Sequence, residues 1–388
     1  MRAAALRLPL AALAVVVFFA ACSKEKAVDK PAELIDIEST LRVDRLWNAA
    51  VGGGEPVLRL GLGLAVDEGR IFAAGHDGDV ISVDLASGRT LWRTRTKTTL
   101  SGGTGAGAGL VAVGSADGEV LALAAEDGAI RWRTRVRGEV LAAPAVSASA
   151  VIVRTVDGRL RALALDDGRE LWNFEQPVPR LSLRGTAPPV VAGNTVIAGF
   201  DNGKVIALAT ATGEIVWEAT ISSPRGRTEL ERLNDIDAAV QIDGDEVLVV
   251  GFQGRAAMLA LESGQVWWSR DLSSHSGLAA TSDAVFVSTA EGDVVALQRR
   301  TGVELWRQDA LKRRSLSAPA VIGDSVAVAD FDGVLHWLDR SSGAFVARSK
   351  VGTRVSNALQ VVDGTLLVID DSGRLSAFRP REARTPPQ

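Results

Sequence analysis

The stretch DGDVISVDLASGRTLW, Asp77 to Trp92, decides the fold. It opens on a turn glycine, Gly78, continues through an alternating apolar strand to Leu85, and reverses at Ala86-Ser87-Gly88-Arg89. A glycine suits that reversal because it takes positive φ without a Cβ clash. A second strand then ends on Trp92. The same frame recurs as DGEVLALAAEDGAIRW (117–132), DGRLRALALDDGRELW (157–172), NGKVIALATATGEIVW (202–217), QGRAAMLALESGQVWW (253–268) and EGDVVALQRRTGVELW (291–306). In each the first glycine and the final tryptophan are 14 residues apart.

A seventh copy, DGVLHWLDRSSGAFVA (332–347), keeps both glycines but carries Ala347 in place of the tryptophan. An eighth, SGRLSAF (372–378), stops halfway. The mean step between first glycines is about 42 residues, the length of a four-stranded propeller blade. Upstream of each copy lies an apolar strand such as Leu110–Gly114 or Ala150–Thr155, and in several a shorter one before it, as at Ala143-Pro144-Ala145-Val146. Four strands per unit and no helical periodicity make the chain all-β. One small sheet cannot cover both its faces, whereas sheets stacked around a ring can.

The expected architecture is therefore an eight-bladed β-propeller of four-stranded antiparallel blades spanning residues 38–380, followed by a short tail at 381–388. The eighth copy lacks its tryptophan strand, and Asp44-Arg45-Leu46-Trp47 stands near the start with no glycine strand before it. The N-terminal strand is thus expected to complete the last blade and close the ring. The repeated tryptophans read as packing between blades.

Residues 1–21 have the form of a secretory signal, with Arg2 and Arg7, an apolar run from Leu8 to Ala20, and small residues before Cys22. Phe19-Ala20-Ala21-Cys22 resembles a bacterial lipobox, which implies acylation of Cys22 as the new N-terminus. Ser23 resembles the sorting signal of outer-membrane lipoproteins. Cys22 is the single cysteine, so no intramolecular disulfide supports the fold. Residues 22–37 are polar, contain Pro31, and read as a flexible tether. Cleavage leaves 41 basic against 47 acidic side chains, a balance that gives no support for nucleic-acid binding.

Chemistry is poorly represented. His76, His275 and His336 are far apart and lack ligand spacing, so no metal site is expected. The run Gly102–Gly107 opens no helix and reads as a tight connection between blades, not a phosphate cradle. No Gly-x-Ser-x-Gly elbow occurs.

The frame A/S-L-x-x-x-x-G-x-x-x-W resembles the PQQ-like repeat of quinoprotein dehydrogenases. The lipobox, tether and eight repeats together resemble the BamB family, lipoproteins of the outer-membrane β-barrel assembly (BAM) machinery. Two further stretches carry that resemblance: Leu181-Ser182-Leu183-Arg184-Gly185-Thr186-Ala187-Pro188, one residue short of the family's L-S-L-R-G-x-x-A-P, and Glu231-Arg232-Leu233-Asn234-Asp235-Ile236-Asp237, similar to E-x-x-R-L-x-D-x-D.

On their own residues these leucines would be blade packing and these aspartates solvated turns. The resemblance instead implies that Leu181, Leu183, Arg184, Asp235 and Asp237 meet a POTRA domain of BamA, the barrel-forming subunit. It also implies no cofactor, no enzymatic activity, a lipid-anchored place on the periplasmic face of the outer membrane, and unfolded outer-membrane proteins as further partners. Alternatives are a PQQ-dependent dehydrogenase or a binding propeller of another envelope complex. The step from 203 to 254 is the longest between repeats, and its insertion Ser222–Asp237 is dense in Arg and Glu, as expected of a binding connection on a rigid scaffold.

Overall fold

The computed structural model describes residues 30–53, 62–179, 181, 187–223, 227–228, 230 and 233–381. These form eight four-stranded antiparallel sheets, the blades of a propeller. Blade 1 consists of Ala65–Asp67, Arg70–Ala74, Asp79–Asp84 and Thr90–Arg95, from innermost to outermost strand. Blades 2 to 7 repeat that order along the chain. Blade 8 has Gln360–Val362, Thr365–Ile369 and Arg374–Arg381, with Arg42–Ala50 as its outermost strand. Trp47 is thereby paired with Ala377 in the blade that contains Gly373, as expected for closure by the N-terminal strand.

Apolar alternation gives each sheet two apolar faces, and each face meets a neighbour. Eight buried clusters result, one at every joint between consecutive blades, including the joint of blade 8 with blade 1 through Leu367, Ile369, Ile71 and Ile81. The run Gly102–Gly107 is only partly a connection. Gly105–Gly107 is the innermost strand of blade 2, and a Cβ on Gly105 would stand 1.8 Å from the carbonyl oxygen of Pro144 in blade 3. Innermost strands converge there.

The tryptophans knit the joints. Trp172 of blade 3 donates its indole N–H to the Thr210 carbonyl of blade 4 at 2.8 Å, and its ring lies under Gly213 in the turn between that blade's last two strands. Gly213 has φ +72°, and a Cβ there would come within 2.6 Å of the ring. The backbone and the space both demand glycine. Trp47, Trp92, Trp132, Trp217, Trp268 and Trp306 make the same contact with the following blade.

One face of the ring carries the turn between second and third strands of each blade together with the connection to the next blade. In blade 1, for example, the Thr96 amide and hydroxyl of the outgoing connection both donate to the Gly78 carbonyl of the turn. This connection face bears both stretches singled out in the sequence. Within the stretch 22–37 read as a tether, residues from Ala32 onward bond to the propeller body: the Ala32 amide donates to the Lys312 carbonyl at 2.9 Å.

Candidate functional site: the connections flanking blade 4

Blade 4 comprises Val190–Ala192, Thr195–Gly199, Lys204–Ala209 and Ile215–Thr220. The connection that enters it contains Leu181, and the one that leaves it contains Asp235 and Asp237. Leu181 is 38% exposed. Cys22, Leu183 and Arg184 lie outside the described residues.

The leaving connection folds back on the turns of blades 4 and 5. The Ile236 amide donates to the Phe200 carbonyl at 3.4 Å, the Phe252 amide to the Asp235 carbonyl at 2.7 Å, and the Ser222 hydroxyl to Asn234 Oδ1 at 2.6 Å. Buried Leu233, Ile236, Ala238 and Val240 pin it down. Leu230, by contrast, is 69% exposed. Sequence reasoning misses this leucine, whose one signal is its apolar side chain within an otherwise charged insertion.

Asp235 and Asp237 do not face solvent. Asp235 is fully buried, and both carboxylate oxygens of Asp237 are sealed without meeting a hydrogen-bond donor among the described residues. They share a buried electrostatic cluster with Arg154 and Asp201. Arg154 comes from the second strand of blade 3, Val151–Thr155, where the other blades have an uncharged small or aliphatic residue at the equivalent place, from Gly114 and Gly199 to Val250 and Ile369. Its guanidinium crosses into blade 4, donating to the carbonyls of Gly199 and Ala187 and to Asp201 Oδ1 at 2.6 Å, and it stacks on Phe200 at 4.9 Å.

Ala187 is in the entering connection and Asp201 in the turn of blade 4, so Arg154 ties both to blade 3. Burial opposes the charge on Arg154, while Asp201, Asp237 and Asp235 support it. Burial, with the charges of Asp235 and Asp201, raises the pKa of Asp237 to about 8 despite Arg154. A group with that pKa is mostly protonated at neutral pH. A cation inside an apolar frame, VIVRT, is the one sign of this cluster in the sequence, and repeat-based reading passes over it.

Among the described residues no group of three or more His, Cys, Asp or Glu is placed to hold a metal ion. His76 Nδ1 meets the Leu100 carbonyl at 2.7 Å, His275 packs edge-on against Phe252, and His336 is buried in blade 7. What the site presents is a shaped surface: exposed Leu181 on the entering connection, exposed Leu230 on the leaving one, and along the leaving connection a polar cleft of about 270 Å³ lined by Ser222, Ser223, Asn234, Gln253 and Arg255.

Comparison with known proteins agrees with this geometry. The family model described as outer membrane protein assembly factor BamB matches residues 43–97, 76–302 and 290–385. An outer membrane protein assembly factor BamB of Pseudomonas aeruginosa is 48% identical over 375 residues, covering 96% of this chain and 98% of that protein. The one of Xanthomonas campestris is 40% identical, covering 91% and 90%. The crystal structure of BamB from Moraxella catarrhalis superposes with a TM-score of 0.80 at 28% identity, over 87% of this chain and all of that one. A quinohemoprotein alcohol dehydrogenase from Comamonas testosteroni matches with a TM-score of 0.68 but 13% identity, a likeness of fold alone.

Proposed function

The chain belongs to the BamB family of outer membrane protein assembly factors, and from that membership we propose that it is a non-catalytic scaffold of the BAM machinery at the outer membrane. Its work is positional. Acylated Cys22 holds it on the periplasmic face, and the connections flanking blade 4 dock a POTRA domain of BamA. Unfolded outer-membrane proteins are thereby brought beside the barrel that inserts them.

The observation that carries this reading is the exposure of Leu181 and Leu230 on the two connections that flank blade 4, the leaving one being pinned beneath by Leu233, Ile236, Ala238 and Val240. Apolar anchors held in place lose little entropy on binding, and such residues dominate interface energies. Asp235 and Asp237 take part by shaping the surface, since their side chains are enclosed. Leu183 and Arg184 complete the docking stretch.

Affinity purification of the tagged chain from detergent-solubilised outer membranes tests the proposal. BamA is expected to co-purify with the wild-type chain and to be lost with the double variant Leu181→Asp and Leu230→Asp. Purification of the wild-type chain without any subunit of the machinery overturns it.

A further inference from the structure

The segment before the propeller's first strand is tied at both ends to blade 7 and to the connection that enters it. At one end the Ala32 amide donates to the Lys312 carbonyl at 2.9 Å, and Arg314 Nη1 donates to the Ala32 carbonyl, also at 2.9 Å. Leu34 packs on the cluster between blades 6 and 7, beside Trp306 and Phe345. Arg348 donates to the Ile35 carbonyl. At the other end the amides of Thr40 and Leu41 donate to the Val346 carbonyl at 2.9 and 3.1 Å. Lys312 and Arg314 lie on the connection face, and Val346 lies near the start of the outer strand Phe345–Lys350, at the opposite face.

This segment covers an edge that other blades leave open. Phe345 and Val346 are half-buried, whereas Ile215 and Val216 of blade 4's outer strand are 54% and 51% exposed.

The two arginines that grip the segment converge on one buried pair. Asp330 Oδ2 accepts from Arg314 Nε at 2.7 Å and lies 3.0 Å from His336 Nε2, while His336 Nδ1 accepts from Arg348 Nε at 3.3 Å. An arginine can only donate, so Nδ1 is the bare nitrogen and Nε2 carries the proton to Asp330. His336 is thus a neutral imidazole whose two sides aim Arg348 and, through Asp330, Arg314. Asp332 fixes the second arm of Arg314 at 2.6 Å. Burial keeps the histidine pKa below its ordinary value, against the pull of Asp330. The other oxygen of Asp330, Oδ1, caps its own turn by accepting from the amides of Asp332 and Val334. That leaves Oδ2 and the fully buried imidazole to serve the two arginines.

We infer that Ala32–Leu41 is a docked strap, locked through Arg314 and Arg348 by the buried Asp330–His336 pair, which fixes where the membrane anchor leaves the propeller. The exit is at the connection face between blades 6 and 7. Ten residues separate Cys22 from Ala32, a reach of about 35 Å when fully extended. The connection face of that sector therefore stays close to the membrane, and the docking connections on the same face are presented in a set direction. The exit half of the inference rests on the lipidation of Cys22; the strap itself does not.

Hydrogen exchange on the anchor-free Cys22→Ser chain decides the strap. The amides of Ala32, Thr40 and Leu41 are expected to exchange slowly, and at least about tenfold faster in Leu34→Asp and in His336→Leu, with blades 1 to 5 unchanged. Leu34→Asp lies on the strap and leaves blade 7 intact even where His336→Leu disturbs it. Exchange of these amides in the Cys22→Ser chain at the rate of an unstructured peptide overturns the strap.

The exit is read on the lipidated chain in phosphatidylethanolamine–phosphatidylglycerol vesicles containing a quencher lipid. A fluorophore at Glu291→Cys, on the connection face, should be quenched more than one at Thr301→Cys, on the opposite face of the same blade, and Leu34→Asp should erase the difference. Equal quenching with an intact strap overturns the fixed exit. A chain that never joins the vesicles sinks the anchor reading instead, and the exchange result still stands on its own.

Discussion

Trp337 and Ala347 face each other across the last two strands of blade 7, and their order is reversed from that of every other blade. Elsewhere the tryptophan is on the outer strand and a smaller residue opposes it, as in Ala162 with Trp172, Ala296 with Trp306, or Ala377 with Trp47. The cause is the ring closure. An outer tryptophan needs the turn glycine and carbonyl of the next blade, and blade 8 has no such turn because its outer strand arrives from the N-terminus. Trp337 instead fills the joint from the inner side, fully buried among Leu335, Val368 and Phe378, and its indole N–H finds no acceptor among the described residues.

This inversion predicts unequal responses to one substitution. Trp172→Phe removes volume and the bond to the Thr210 carbonyl, at a cost of roughly 1 kcal/mol for the hydrogen bond beyond the packing loss. Trp337→Phe removes an unsatisfied donor along with the volume, so its net cost should be smaller. Denaturant unfolding of the two variants in the anchor-free chain compares them directly. A Trp337→Phe loss equal to or above that of Trp172→Phe would refute the assignment of an unsatisfied indole.

Two glycines separate backbone from space. Gly193 and Gly213 both have positive φ, but nothing lies within 4 Å of a Cβ at Gly193, while one at Gly213 meets the Trp172 ring. Gly193→Ala should cost about 1 kcal/mol of backbone strain. Gly213→Ala should cost clearly more, because a packed ring must move. Equal midpoints of unfolding would show that the ring yields freely.

Closure makes a prediction about truncation. Deleting the chain through Trp47 removes most of blade 8's outer strand, and with it the partner of Ala377 in the joint with blade 1. Deleting it through Asp36 removes only the first part of the docked segment. The first should lower the melting temperature by far more than the second. Similar melting temperatures would mean that the ring does not depend on its N-terminal strand.

Much of this architecture is legible in the order of residues alone. A fixed 14-residue frame from glycine to tryptophan specifies a hairpin and a joint at once, so blade number, strand order and the closing strand all follow from it. Side-chain direction does not. Asp235 and Asp237 sit in a charged insertion and read as solvated, yet a buried arginine from a neighbouring blade draws them inward. That partner, Arg154, is about 80 residues upstream, and no local pattern links the two. The strap is hidden for the same reason: Lys30-Pro31-Ala32-Glu33-Leu34 looks like linker until Lys312 and Arg314, nearly three hundred residues away, are beside it.

Asp237 gives the connection leaving blade 4 a pH dependence of definite sign. Its pKa is about 8 in the fold against an ordinary 3.8, so folding favours the protonated form. That stabilisation is complete below pH 4, and it is lost as pH rises toward 8, where a third buried carboxylate charge must form beside Asp235 and Asp201. Exchange protection of residues 233–240 should therefore fall across this range. Asp237→Asn, neutral at every pH, should flatten the profile. A wild-type profile already flat between about pH 5 and 9 would show that Asp237 is ionised throughout.

The last prediction separates residues that touch a partner from residues that shape the surface it meets. Leu181 and Leu230 are exposed, so Leu181→Asp or Leu230→Asp should leave stability nearly unchanged while weakening BamA binding by roughly 1–3 kcal/mol, the usual span for an interface anchor. Arg184→Ala should act in the same way, because a guanidinium can grip a carboxylate or carbonyls in a fixed direction. Asp235→Ala and Asp237→Ala should differ in kind. Each alters a buried cluster tied to Arg154, so binding should fall together with the exchange protection of residues 233–240. Leu305→Asp, on the exposed outer strand of blade 6, controls for a new charge elsewhere. Calorimetric titration with the BamA POTRA domains, run beside thermal unfolding, reads both axes. If both aspartate variants bind weakly while their local protection is unchanged, the carboxylates contact the partner directly and the shaping role is wrong. If Leu181→Asp and Leu230→Asp bind at wild-type strength, the partner docks elsewhere on the propeller.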